Sequence, residues 1–195
     1  MNRAQIERAL LLSCLAAVVG APQGAAAAPQ EACKMEQLKS APKLADIYAK
    51  AAAHAKAWKA DAVPARVGVT SLGPLQPNGT SEAWNLMFFS ESAKSWMSVT
   101  TFRGMYTCYA DAGTAGRIPA LKPDFFRDGA KLYALAKEHG DAFIAQGYQV
   151  SIDTAAAPSD NHAMWYINYQ KDNRNAKLIV ILDANTGVVE KVIKD

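Results

Sequence analysis

Histidine is scarce in this 195-residue chain, with three in all, and no two stand at a metal-binding spacing. There is no H-x-x-x-H and no C-x-x-C, the short spacings by which one helix or turn offers two ligands to a zinc ion. A G-x-S-x-G elbow and a Gly-rich phosphate loop are also missing, which removes the commonest hydrolase and nucleotide-binding signatures. A large charge of one sign is lacking too. Against 18 acidic residues stand 21 Lys and Arg, a net +3, too little to draw in nucleic acid or an anionic membrane. The expectation is therefore a chain with no catalytic set, no cofactor, no metal ligands and no nucleic-acid partner.

Long apolar runs are short of membrane length. "ALLLSCLAAVVG" (9 to 20) has 12 residues, well under the roughly 20 that span a bilayer. It follows Arg3 and Arg8 and precedes "APQGAAAA", the order of a secretory signal peptide with a small-residue cleavage site. Cleavage after Ala27 fits, because one residue later Pro29 would occupy the scissile bond. Residues 1–27 are thus expected to be a leader, and the destination the bacterial periplasm or exterior. A lipidated Cys14 is disfavoured, since too few apolar residues precede Ser13. The mature chain of about 168 residues carries +2 and is long enough for one sizeable domain or two small ones.

Two cysteines then remain, Cys33 and Cys108. An even count in an exported chain favours a disulfide. The alternative is a cysteine nucleophile paired with His54, His139 or His162, and nothing flanking either cysteine points to it.

What the chain does have is a pattern that runs twice. "LADIYAKAAAHAKAW" (44 to 58) reads as a helix, with Leu44, Ile47, Ala51, Ala55 and Trp58 at three- and four-residue steps. Strands follow at "ARVGVTS", "EAWNLMFF", "SWMSVTTF" and "MYTCYA". "GAKLYALAKEHGDAFIAQG" (129 to 147) is a second helix, with Asp128 as its N-cap, Gly140 as a bend and Gly147 as its stop. Strands follow again at "YQVSI", "AMWYINYQ", "AKLIVIL" and "VVEKVI". Trp84 aligns with Trp165, and Gly104 with Gly187.

The expected fold class is α+β: two tandem α-β-β-β-β units, each a helix packed on one face of an antiparallel sheet. The first unit spans 28–111 and the second 125–195, with a Gly- and Pro-bearing linker at 112–124. Alternation along the strands puts Trp84, Leu86 and Phe88, Met97 and Val99, Trp165, Ile167 and Tyr169, and Val180 and Leu182 under the helices. The opposite face is left open. It would show Met87, Phe89, Trp96 and Phe102 from the first unit, and Tyr166, Ile179 and Ile181 from the second. Aromatics mixed with small polar groups suit a protein interface.

"DANTG" (183 to 187) joins two of these strands, where a hairpin needs polar residues and a glycine at positive φ. Asp183, Asn185 and Gly187 mimic the first ligands of a calcium loop. The glycine comes one position early, however, and Lys194 stands where the bidentate Glu belongs. The stretch reads as a structural turn.

The helix, the Trp-bearing strand and the final "VILDANTGVVEKVI" hairpin resemble the PepSY domain. The likeness covers residues 125 to 195 best; the first copy is degraded, with "TTFRGMYTC" in place of the Thr-Gly turn. Two copies in an exported chain also resemble the tandem architecture of the β-lactamase inhibitory proteins. The resemblance implies a non-enzymatic module that binds or inhibits another exported or envelope protein. Two alternatives are a carrier of a small apolar ligand or lipid between helix and sheet, and an unrecognised hydrolase, for which Asp160, Asn161 and His162 form the one polar cluster beside a tryptophan strand but read first as a loop.

Overall fold

The computed structural model describes residues 30–69, 72–110, 121, 122, 124–156, 163–171 and 176–194. The expected leader, most of the expected linker and the Asp160-Asn161-His162 cluster lie outside the described residues. Among the described residues, ten strands and two helices follow one another as β1 (Gln30–Glu31), β2 (Glu36–Gln37), α1 (Leu44–Trp58), β3 (Val63–Val69), β4 (Trp84–Ser90), β5 (Ser95–Phe102), β6 (Met105–Ala110), α2 (Gly129–Ala145), β7 (Gln149–Ala156), β8 (Ala163–Gln170), β9 (Leu178–Asp183) and β10 (Val189–Lys194).

All ten strands belong to one antiparallel sheet in the order β1-β6-β5-β4-β3-β7-β8-β9-β10, with β2 also on β6. This corrects the expected arrangement of two tandem units, each with its own helix-covered sheet. The join is between β3 and β7, where Gly68 faces Asp153. Val67 N–H donates to Thr154 Oγ1 at 2.8 Å across it, and Arg66 is ion-paired with Asp153. Two separate sheets would each expose a strand of unpaired backbone at this point, and pairing β3 with β7 satisfies both. Gly68 makes the approach close enough: a Cβ there would lie 2.7 Å from Asp153 Oδ1 and 2.9 Å from the Ile152 carbonyl oxygen.

Both helices lie on the same face of this sheet, α1 over β3 and β4, α2 over β7, β8 and β9. Their buried residues and the sheet's inner face form one continuous core. Trp84, Phe88, Tyr106, Phe125, Trp165 and Tyr169 are its largest side chains, all at most 1% exposed. The alanines of α1 let that helix sit down on them: Ala51 and Ala55 are fully buried.

The helix starts differ. Asp128 caps α2 by accepting from Lys131 N–H at 3.1 Å. Lys43 precedes α1 with no side-chain cap. The Pro42 carbonyl just before α1 accepts from Trp84 Nε1 at 2.9 Å, and the Phe126 carbonyl shortly before α2 accepts from Trp165 Nε1 at 2.8 Å. Each indole thereby ties the entry of a helix to the centre of the sheet while satisfying its one buried donor.

Candidate functional site

The face of the sheet opposite the helices is built by strand alternation. Cross-strand registers align Thr107, Thr100, Asn85, Gly68, Asp153, Tyr166 and Ile181 in one row running from β6 to β9. A neighbouring row runs Tyr109, Ser98, Met87 and Arg66. Near the middle, Arg66 grips Asp153 in a two-pronged pair, with Nε 2.9 Å from Oδ1 and Nη2 on Oδ2. Burial would lower the Arg66 pKa, but the hydrogen bond to Asp153 outweighs it and raises that pKa further. The pair cancels its own charge, so the centre of the face is polar and neutral.

Met87, Tyr166, Ile179 and Ile181 are half-buried on this face, and Phe102 and Tyr109 are each 40% exposed. Thr100 and Thr107 share a hydroxyl hydrogen bond of 2.8 Å. Asn85 has a buried Oδ1 with no hydrogen-bond partner among the described residues. The structure therefore brings five of the seven expected interface residues onto an accessible surface.

Trp96 and Phe89 lie on this face but are closed off from solvent. They are 1% and 6% exposed and form a small second cluster with Ala65 and the edge of Met87. Their rings lie 4.9 Å apart between centroids and pair directly across β4 and β5. Ala65 sits in a bulge of β3 between Pro64 and Arg66. Alternation put these two rings on the correct face, but they are packed core and do not offer a free surface.

The turn from Asp183 to Gly187 is closed locally. Asp183 Oδ1 accepts from Asn185 N–H at 2.9 Å, Thr186 N–H at 2.7 Å and Thr186 Oγ1 at 2.9 Å. Gly187 takes φ +73°, and its N–H donates to the Asp183 carbonyl. The carboxylate is aimed at its own backbone.

At the far edge of the sheet a different group of residues converges. β1 and β2 run along β6 as an interrupted edge strand, and Cys33 lies in the interruption, joined by a disulfide to Cys108 with Cα atoms 5.5 Å apart. His54 reaches them from α1: one ligand-capable atom from each of Cys33, His54 and Cys108 lies within 4.8 Å of the others. The Tyr106 ring stands 5.8 Å from the His54 ring, with Lys50 Nζ over it at 4.6 Å from its centroid. Burial pushes the Tyr106 phenol well above its usual pKa, and its hydroxyl has no partner among the described residues. Short-range spacing could not have found this group, because its three members come from three distant elements.

Beside α2 lies a groove of about 390 Å³ lined by Pro77, Ala130, Tyr133, Lys137, Asp141 and Ile144 among others; neither His54 nor His139 lines it. Among the described residues no helix is long and apolar enough to cross a membrane.

No protein family model matches the chain, and no curated protein matches it. A solved structure of a proposed lipoprotein from Clostridium difficile 630 is similar at 14% identity and TM-score 0.47, over 82% of this chain and 96% of that one. A likeness of that size carries no weight for function.

Proposed function

We propose that this protein is an exported, non-enzymatic module that binds or inhibits another exported or envelope protein through the open face of its sheet. One observation carries the reading: both helices cover the same face, and the other presents half-buried Met87, Tyr166, Ile179 and Ile181 around a neutral Arg66–Asp153 pair. Apolar and aromatic groups set among Thr, Ser and Asn, without a net charge, match the composition of protein interfaces. The Cys33–Cys108 disulfide supports an oxidising compartment, as does the leader-like start of the sequence. The likeness to PepSY modules rests on the sequence of the Trp165 strand and the Asp183–Gly187 hairpin.

The test is affinity capture from a native exported fraction, with the wild-type chain beside a Tyr166→Ser, Ile181→Ser variant. A partner retained by the wild type and lost by the variant, at equal unfolding midpoints, supports the reading. An identical set of captured proteins for both, or none for either, removes the sheet face as the binding site.

A further inference from the structure

We propose that Cys33, His54 and Cys108 form a binding site for a single Cu(I) ion when the disulfide is reduced, so that the disulfide and the metal-bound site are alternative states of one locus. The geometry is the first argument. The two sulfurs are bonded to each other, and a ring nitrogen of His54 lies within 4.8 Å of both. Ligands at about 2.0 to 2.3 Å from one ion are separated by at most about 4.5 Å, so only small side-chain movements are needed once the sulfurs are released from each other.

The chemistry of the set selects the metal. Two thiolates and one imidazole are soft and borderline donors that favour Cu(I) and Zn²⁺ over hard cations. A structural zinc site takes four protein ligands and a three-ligand zinc site adds a water, whereas this group has three among the described residues. Cu(I) is satisfied by three.

The surroundings fit an ion. Cys108 is fully buried, whereas Cys33 and His54 are half-buried, so the site has an inner wall and one side open to solvent. Tyr106, on the same face of β6 as Cys108, packs beside His54 and carries a buried hydroxyl with no partner among the described residues. A hydroxyl in that position is available to the outer shell of a metal site, where such groups orient the ligands. Lys50, one helical turn before His54, lies over the Tyr106 ring and is ion-paired with Glu36.

The two steps balance. A small dithiol gives two electrons and two protons to the Cys33–Cys108 bond, leaving two thiols here and a disulfide on the reductant. Cu(I) then replaces both thiol protons, which pass to solvent, and His54 coordinates through a neutral ring nitrogen without losing a proton.

The experiment uses the full mature chain reduced with a phosphine, freed of reductant under anaerobic conditions and titrated with Cu(I) against a chromophoric Cu(I) chelator. The expected result is one Cu(I) per reduced chain, none on the oxidised chain, and a loss of at least about tenfold in affinity for His54→Ala, since even outer-shell changes cost that much. His54→Ala leaves the disulfide intact, so its oxidised form reports whether the variant folds. Near-ultraviolet circular dichroism of the copper-loaded wild type should retain the native signal. Equal affinity for wild type and His54→Ala, binding of several ions, or a reduced chain that unfolds and stays unfolded with copper would each overturn the proposal.

Discussion

The ring of Tyr169 fills the space that a side chain at position 140 would need. A Cβ on Gly140 would lie 2.7 Å from the Tyr169 hydroxyl and closer still to its ring. Gly140 leaves helical geometry at φ −138° and ψ 25°, which kinks α2 where Tyr169 rises from β8. The hydroxyl donates to the Ala136 carbonyl, one turn earlier in the same helix, and burial raises its pKa well above the usual phenol value. Gly140→Ala is therefore expected to destabilise by about 1 to 3 kcal/mol through overpacking. Tyr169→Phe removes only the hydrogen bond and should cost about 1 kcal/mol. Denaturant unfolding of both variants checks the order; an unaffected Gly140→Ala would show that the ring moves freely.

The seam between β3 and β7 depends more on backbone approach than on charge. Arg66 and Asp153 have side chains that are 49% and 32% exposed, and a pair that wet contributes at most about 1 kcal/mol. Gly68→Ala instead places a methyl against the Ile152 carbonyl, with an expected cost of about 1 to 3 kcal/mol. A double-mutant cycle on Arg66→Met and Asp153→Asn, compared with Gly68→Ala by chemical denaturation, should rank the glycine first. Hydrogen exchange in the Gly68→Ala chain should rise first at Val67, whose N–H crosses the seam.

Asp61 sets one acid-sensitive point. Its carboxylate accepts from Ser92 N–H at 2.7 Å and from the hydroxyls of Ser90 and Ser92. The backbone hydrogen bond from Ser92, then that from the Ser90 side chain, hold its pKa down at about 2. A depressed folded-state pKa means that the stabilisation is present above the ordinary carboxylate value and is lost as pH falls through about 2. Stability should thus drop between about pH 4 and pH 2 more steeply in the wild type than in Asp61→Asn. Unfolding midpoints measured across that window test it; parallel curves would remove Asp61 from the acid response.

The elements were legible in the sequence because burial leaves a period. The apolar steps of 44 to 58 mark α1 to the residue, and the alternation of Trp84, Leu86 and Phe88 marks the inner face of β4. The single sheet was not legible, because its join rests on Gly68 and Asp153, and a small residue meeting a charged one has no apolar signature. Neither were β1 and β2, two residues each, which exist only because β6 offers them an edge. The approach of His54 to the cysteines follows from α1 packing near β6 and leaves no mark on local spacing.

Trp96 and Phe102 separate core from surface on the open face. Both project from the same side of β5, and alternation treats them alike. Trp96 is 1% exposed against Phe89 and Ala65, with its indole Nε1 unpartnered among the described residues, whereas Phe102 is 40% exposed beside the Arg103 guanidinium. Truncating a buried aromatic costs about 3 to 5 kcal/mol, so Trp96→Ala should lower stability by that order. Phe102→Ser, at an exposed site, should stay within about 0.5 kcal/mol. Equilibrium unfolding of the two variants decides it. If Trp96→Ala is as stable as the wild type, its ring is surface after all and belongs with Tyr166 and Ile181 in the binding face; if it collapses as expected, loss of a partner in that variant says nothing about the interface, and Phe102→Ser is the informative substitution.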